Sequence, residues 1–206
     1  ERERERETER KQKEREKALR ISEIDKKIES CGFNLAPIEE YTKWENVNII
    51  MGKPGSGKTE IIKRLLDQIC QEGDEVLVIA LGNINDDKSL MSVLSRWKHS
   101  FLVSENASIL DKVATMKGSF NRIFIEVDYT FTQKVIEHSL MKESAAMICS
   151  GADQIFNSDE FFSETYKIKS PLILTRLDLC SDLPSALNSV ADIGVEINGT
   201  ATGPWK

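Results

Sequence analysis

Eight consecutive residues, GKPGSGKT at positions 52–59, match the phosphate-binding pattern of a Gly, four residues and then Gly-Lys-Ser/Thr. An apolar run precedes them and a helical pattern follows, which is the strand–loop–helix setting that the pattern needs. Glycines let the backbone curl so that its N–H groups point at one centre, and the helix N-terminus adds positive potential there. Lys58 would reach the β- and γ-phosphates, and the Thr59 hydroxyl would hold a Mg²⁺ ion that bridges them. The stretch therefore predicts a nucleotide site with contacts from Gly52, Pro54, Gly55, Ser56, Gly57, Lys58, Thr59 and Glu60.

A second group of residues with suitable chemistry, Thr175-Arg176-Leu177-Asp178, stands at the end of an apolar run. GTPases carry an Asn/Thr-Lys-x-Asp sequence at a strand end of this kind. The Asp178 carboxylate can accept hydrogens from N1 and N2 of guanine, which adenine does not offer, and each such bond is worth roughly 1.5–3 kcal/mol. The Arg176 guanidinium can lie flat on the base. We therefore predict that Thr175, Arg176 and Asp178 bind a guanine base.

The elements that must position both groups follow from the apolar pattern. After residue 46, apolar runs alternate with helical patterns, and the runs are continuous, as in parallel strands covered on both faces. Regular β–α alternation predicts a three-layer α/β P-loop NTPase fold with a mostly parallel, doubly wound sheet, which binds ligands at the carboxyl ends of its strands. The predicted strands are 47–51, 75–81, 101–103, 123–127, 145–149, 172–175 and 195–197. The predicted helices are 59–71, 87–98, 108–116, 132–141, 158–166 and 181–190.

The first thirty residues are low in complexity and carry eleven Lys/Arg and ten Asp/Glu. Glu, Lys and Arg favour helix, and opposite charges three or four residues apart support it. Apolar residues appear from Ala18 onward as a short stripe, which predicts a charged, solvated helix whose end docks on the domain. Disorder of residues 1–17 is the alternative. We divide the chain into a charged helical extension with a connector, 1–45, and a phosphate-loop domain, 46–206.

The rest of the chain is acidic, with seventeen Lys/Arg against twenty-four Asp/Glu. An acidic domain argues against direct nucleic-acid binding. No apolar run is long enough to cross a bilayer. The four cysteines are widely separated and form no CxxC pair, which argues against a zinc site and for a reducing compartment. We therefore expect a cytoplasmic protein.

The chain resembles the signal-recognition-particle (SRP) type GTPases, which include the particle's protein subunit, its receptor FtsY and the flagellar protein FlhF. GKPGSGKTE resembles the family's G-x-N-G-x-G-K-T-T, and EVLVIALGNINDDKSLMSVLSRW resembles its next strand and helix. LILTRLDLCSDLPSALNSVADIGVEINGTATG resembles the segment that begins with T-K-L-D and ends in a closing loop at the base, where Gly199 and Thr200 fall. The similarity covers residues 47 to about 203 and identifies 46–206 as a G domain.

The resemblance implies GTP or GDP and Mg²⁺ as ligands. It implies Glu126 and Asp128, at the end of the central strand, as catalytic carboxylates, with Thr59 and Glu126 as magnesium ligands. Family members work as nucleotide-gated dimers in membrane targeting or flagellar placement, so the resemblance also implies a protein partner. A homodimer and a heterodimer with a related GTPase are both open, as is peripheral association with the inner face of a membrane.

Several departures from the family concern hydrolysis. The family's Asp-Thr-Phe-Arg is replaced by Leu81-Gly82-Asn83-Ile84, its Asp-Thr-Ala-Gly by Glu126-Val127-Asp128-Tyr129, and the second Thr after Lys58 by Glu60. The family's N domain is missing or shrunk. We therefore expect a switch or scaffold that binds guanine nucleotide with weak or lost hydrolysis. Two alternatives stay open: a non-catalytic pseudo-GTPase scaffold, which Glu60 and Tyr129 favour, and a P-loop ATPase, in which the sequence TRLD is coincidental.

Overall fold

A computed structural model of the protein describes residues 2–41, 43–82, 88–157 and 170–201. Within these residues, seven strands form one parallel sheet in the order β3-β2-β4-β1-β5-β6-β7. The strands are β1 (Val47–Gly52), β2 (Glu75–Leu81), β3 (Lys98–Ser104), β4 (Arg122–Asp128), β5 (Ala145–Gly151), β6 (Leu172–Thr175) and β7 (Ile197–Ala201). The helices are α1 (Arg2–Ser30), α2 (Lys58–Ile69), α3 (Lys88–Leu94), α4 (Ile109–Met116), α5 (Thr132–Glu137) and α6 (Leu183–Asp192). The predicted three-layer α/β fold is confirmed.

Both faces of the sheet are covered because successive side chains of each central strand enter two different apolar clusters. In β1, Ile49 belongs to the cluster on one face and Ile50 to the cluster on the other. Helices α4, α5 and α6 cover the first face, and α2 and α3 cover the second. Removal of these continuous Val, Ile and Leu runs from water drives the packing. The segments that follow the central strands β1 and β4 therefore start from rigid positions.

Helix α1 is exposed over most of its length and docks by its C-terminal part. Ile24 and Ile28, one turn apart, are buried in the first cluster, against α6 and the 3₁₀ turn Leu177–Leu179. The charged helix with a docked end is thus present, and it begins at Arg2. Among the described residues, no helix combines the length and the apolar character that a membrane span requires.

The connector after α1 also belongs to the folded core. Ile38 is buried in the second cluster, and Pro37 forms a parallel bridge with Thr200 of β7. Residues on both sides of position 46 therefore share the two clusters, and the domain boundary there stays a prediction.

Long-range pairing explains the largest differences between the predicted and the observed bounds. β3 is longer than the predicted 101–103 because its pairing with β2 runs from Lys98 to Ser104, and α3 accordingly ends at Leu94. The last strand begins at Ile197 rather than at 195, since that residue is the first to pair with β6.

The predicted helix 132–141 is divided in two. After Glu137, the His138 ring accepts a hydrogen bond from the Leu140 N–H at 3.1 Å and caps a separate 3₁₀ turn. The predicted helix 158–166 lies outside the described residues.

Candidate functional site

The strand order brings the residues with suitable chemistry to one edge of the sheet. β1 lies between β4 and β5, and β6 follows β5, so the carboxyl ends of these four strands are neighbours. The loop 53–57 follows β1, Glu126 lies near the end of β4, and Thr175 ends β6. Because ligands of parallel α/β sheets bind at the carboxyl ends of the strands, this edge is the candidate site.

The loop after β1 depends on its glycines, as Gly52 and Gly57 show. Gly57, immediately before α2, has a φ of +88°, a left-handed conformation that costs other residues about 1–2 kcal/mol. A β-carbon at Gly52 would lie 2.5 Å from Ser56 Oγ and closer still to the Cys149 carbonyl oxygen. Helix α2 starts directly after Gly57, and its first N–H groups are available to a ligand, as at any helix N-terminus. The loop therefore has the shape and the donors that an anion requires.

Lys58 is a buried cation within this loop. The residue is 6% exposed, and its ammonium donates hydrogen bonds to the carbonyl oxygens of Gly52 and Lys53, both at 3.0 Å. A buried charge needs such partners. An ammonium carries three donors, so a phosphate oxygen in the loop can be bound beside these carbonyls or in place of one. Lys58 is thus positioned to bind phosphate.

Thr59 and Glu126 face each other between the start of α2 and the end of β4. The Thr59 hydroxyl lies 3.0 Å from both carboxylate oxygens of Glu126, and Glu126 is 5% exposed. Hydroxyl and carboxylate oxygens are ligands that suit Mg²⁺. Asp128 instead accepts hydrogen bonds from the Thr130 N–H at 3.0 Å and hydroxyl at 2.8 Å. The two carboxylates predicted as catalytic therefore differ: Glu126 fits a magnesium site, whereas Asp128 caps the next turn.

Side chains from β5 and β6 hold the phosphate loop in place. The Thr175 hydroxyl donates to the Ser56 carbonyl at 2.5 Å, and the Cys149 thiol donates to the same oxygen at 2.9 Å. Burial raises the pKa of the Cys149 thiol to about 12, so the thiol stays protonated and keeps this bond. The Ser56 hydroxyl is buried and has no hydrogen-bond partner in the part of the chain that the structure describes. An unpaired buried donor in this loop fits the binding of phosphate.

Arg176 lies against the phosphate loop. Its φ is +54°, and its guanidinium donates to the Gly55 carbonyl at 2.7 Å and forms an ion pair with Asp153 at 2.7 Å. Gln154 donates to the Pro54 carbonyl at 3.1 Å. A strained backbone conformation persists only where its surroundings enforce it, so these contacts tie the loop to the ends of β5 and β6. The stacking of Arg176 on a base stays a prediction.

Asp153 and Gln154 were not among the predicted site residues. They belong to the 3₁₀ turn Ala152–Asn157, which directly follows β5. The signal that could have found them is a polar pair after a predicted buried strand, because the carboxyl ends of neighbouring parallel strands share one edge.

Two further residues were predicted to contact the nucleotide, Asp178 at the base and Glu60 at the phosphate loop. Asp178 is accessible, whereas the Glu60 side chain does not point into the loop. Asp178 is exposed in the 3₁₀ turn that follows β6. Glu60 forms an ion pair with Lys63 one turn further along α2. Glu60 therefore adds no side chain to the phosphate loop.

Gly199 and Thr200 lie in a strand rather than in the predicted closing loop, and their contact with a nucleotide stays a prediction. Both residues lie inside β7, where the pairing with β6 continues to Ala201. Thr200 is buried, and its N–H donates to the Ala36 carbonyl at 2.9 Å. The Thr200 N–H is therefore engaged within the chain.

Solved structures with the same fold include proteins that were crystallised with a guanine nucleotide. A hydrogenase maturation factor HypB from Archaeoglobus fulgidus matches with a TM-score of 0.54 and 15% identity, over 90% of this chain and 88% of that one. FlhF complexed with GTP/Mg²⁺ matches with a TM-score of 0.59 and 12% identity, over 82% and 71% of the two chains. The signal recognition particle 54 kDa protein from Aeropyrum pernix in complex with GDP matches with a TM-score of 0.56 and 13% identity, over 88% and 47%.

No protein-family model and no curated protein sequence matches the chain. At 12–17% identity, the similarity to solved structures is evidence for the fold alone. The parallel sheet and the position of the phosphate loop support the same fold. The chain has the fold of the G domain of SRP-type GTPases, as the resemblance in its sequence implied.

Proposed function

We propose that the protein binds a guanine nucleotide with Mg²⁺ and acts as a nucleotide-dependent switch. The observation that carries this proposal is the intact phosphate loop. In it, the Lys58 ammonium donates to the Gly52 carbonyl oxygen and the Thr59 hydroxyl donates to the Glu126 carboxylate. Asp178 lies two strands away at the same edge, a spacing of about 10 Å that a nucleoside triphosphate can bridge. FlhF with GTP/Mg²⁺ and the 54 kDa protein with GDP, which share the fold, support the choice of ligand.

Each residue has a definite role in this proposal. Lys58 and the first N–H groups of α2 bind the phosphates, and Asp178 accepts two hydrogens from the guanine edge. Thr59 and Glu126 would hold Mg²⁺, which neutralises charge on the phosphates. Arg176 keeps the loop in shape through its bond to Gly55.

We infer that hydrolysis is weak or lost. Asp128 is engaged by Thr130, and Tyr129 stands where the family has the Gly whose N–H contacts the γ-phosphate. A scaffold without nucleotide control is the second candidate, and the same two observations favour it. Turnover of GTP by the purified protein separates a slow enzyme from an inactive one, and fast hydrolysis would contradict our inference.

The partner and the location are also proposals. By resemblance to SRP-type GTPases, we infer a cytoplasmic protein that pairs with a second copy or a related GTPase when GTP is bound, and that can act at the inner face of a membrane. The exposed Tyr129 beside the site is a surface that such a partner could contact. Light scattering with and without GTP measures the molar mass in solution. An unchanged mass would exclude a homodimer that depends on GTP and leave only pairing with a different protein.

Titration with fluorescent nucleotides tests the proposal. We expect mant-GDP to bind and mant-ADP not to bind. Lys58→Ala should abolish binding that depends on phosphate, whereas Lys142→Ala should keep it, since Lys142 is exposed in the turn before β5, at the opposite edge of the sheet. Asp178→Asn should shift the preference toward xanthine nucleotides, which present an acceptor where guanine has a donor.

Each failure has a different meaning. Equal affinity for mant-GDP and mant-ADP would remove the role of Asp178 and favour the ATPase alternative. Unchanged affinity in Lys58→Ala would remove the phosphate-loop argument and favour the scaffold.

A further inference from the structure

The docked side of helix α1 also borders the candidate site. The residues on this side recur at helical spacing and include Ile24 and Ile28, which anchor the helix in the core. One turn before Ile24 is Arg20. Together with Asp178 and Leu177, Arg20 lines a cavity of about 330 Å³. Arg20 and the carboxylate that we assign to the base therefore border the same cavity.

Arg20 also lines a second cavity, of about 720 Å³, between helix α1 and helix α2. Here it is joined by Lys17, and the opposite wall comes from the exposed side of α2, including Glu60 and Arg64. Both volumes lie within the range of ligand pockets, roughly 300–1,000 Å³.

The topology shows what lies between these two cavities. Asp178 follows β6 and Glu60 follows the phosphate loop after β1, and β5 is the strand between them. Arg20 borders both cavities and therefore lies between the turn after β6 and the first turns of α2. Helix α1 therefore crosses the edge where the nucleotide of the proposed function would lie.

The charge of this part of α1 suits a polyphosphate. Its residues that line the larger cavity are four basic ones and two acidic ones: Arg10, Lys13, Lys17, Arg20, Glu14 and Glu16. A guanidinium can donate two parallel hydrogen bonds to phosphate oxygens.

We propose that Arg20 is a further nucleotide-binding residue, which contacts the phosphate oxygens of a guanine nucleotide held between Asp178 and the phosphate loop. This inference rests on the proposed function. It makes the charged N-terminal helix part of the binding site rather than a solvated extension.

The test compares two arginines of the same helix. Arg20→Ala should weaken the affinity for GTP about ten-fold, the effect of one lost charge-assisted hydrogen bond, and Arg20→Lys should recover part of it. Arg15→Ala is the control, since Arg15 lies about 140° around the helix from Arg20 and lines neither cavity. Circular dichroism of each variant checks that α1 remains helical. Guanosine, which has no phosphate, should bind Arg20→Ala and the unchanged protein equally.

A second measurement uses the trypsin sites of α1. GTP should slow cleavage after Lys17 in the unchanged protein, because a helix held over bound nucleotide opens less often, and this protection should be lost in Arg20→Ala. Lys58→Ala could lose its affinity for GTP while Arg20→Ala and Arg15→Ala bind GTP equally well. In that case the inference about Arg20 fails and the proposed function stands. Tighter binding by Arg20→Ala would overturn the inference, since α1 would then compete with the nucleotide. Unchanged affinity in Lys58→Ala would remove the proposed function itself.

Discussion

Gly52→Ala tests whether the phosphate loop is as closely packed as the structure shows. The added β-carbon would lie 2.5 Å from Ser56 Oγ and closer to the Cys149 carbonyl oxygen, which belongs to the backbone of the neighbouring strand and cannot rotate away. Overpacking of this kind costs about 1–3 kcal/mol. In a chain of 206 residues, each kcal/mol lowers Tm by roughly 2–4 °C. We therefore expect a fall in Tm of roughly 2–12 °C.

The same substitution should impair nucleotide binding. The Gly52 carbonyl accepts a hydrogen bond from Lys58, so a shift of the backbone at Gly52 moves the ammonium that we assign to the phosphates. We expect the affinity for GDP to fall by about ten-fold or more, which corresponds to the loss of one interaction with a charged group. Thermal unfolding followed by circular dichroism and titration with mant-GDP measure the two effects.

Gly73→Ala is the matched control. Gly73 has a φ of +91°, and a β-carbon there would meet nothing within 4 Å. This variant pays about 1–2 kcal/mol for the left-handed conformation but lies between α2 and β2, away from the loop. Its Tm should fall while its affinity for GDP is retained. Wild-type Tm and affinity in Gly52→Ala would refute the packing that we describe.

Two other predictions concern the walls of the loop. Glu126→Gln keeps the size of the side chain and an acceptor for Thr59 but removes the charge, so the gain in GTP affinity on adding Mg²⁺ should shrink. The same change at Glu137, which is exposed, should leave that gain unaltered. An equal loss of the gain in both variants would contradict the magnesium site. Burial raises the pKa of Cys149 from 9.0 to about 12. At about pH 8.5 its thiolate fraction is then below about 0.1%, so iodoacetamide should leave Cys149 unmodified in the folded protein and modify it in urea, as mass spectrometry would show. Because the folded pKa is the higher one, the contribution of the protonated thiol to the stability of the folded state is present in full below pH 9 and is lost as the pH rises through about 12. Rapid labelling of the folded protein would contradict the burial of Cys149.

Features that depend on residues close together in sequence could be predicted. The phosphate loop needs eight neighbouring residues, and β2 and β6 have the predicted bounds because each is short and apolar over most of its length. The direction of the strands also followed from the sequence, since continuous apolar runs with helices between them leave few other arrangements.

Features that join distant residues were decided by the tertiary structure. Sheet pairing placed Gly199 and Thr200 inside β7, although their sequence alone is compatible with a loop. The contact of Arg176 with Gly55 and Asp153 requires three strand ends to be neighbours, and no local pattern encodes that.

The sequence by itself determined that this chain has a phosphate-binding loop and a parallel α/β fold, because glycine conformations and apolar runs act over a few residues. Only the tertiary structure decided what holds the loop in place, through Thr175 and Arg176, and where α1 docks on the domain. The physical reason is that such contacts are set by the order of strands in the sheet and by the two isoleucines that dock α1, Ile24 and Ile28. The charge pattern of the helix carries no information about where it lies.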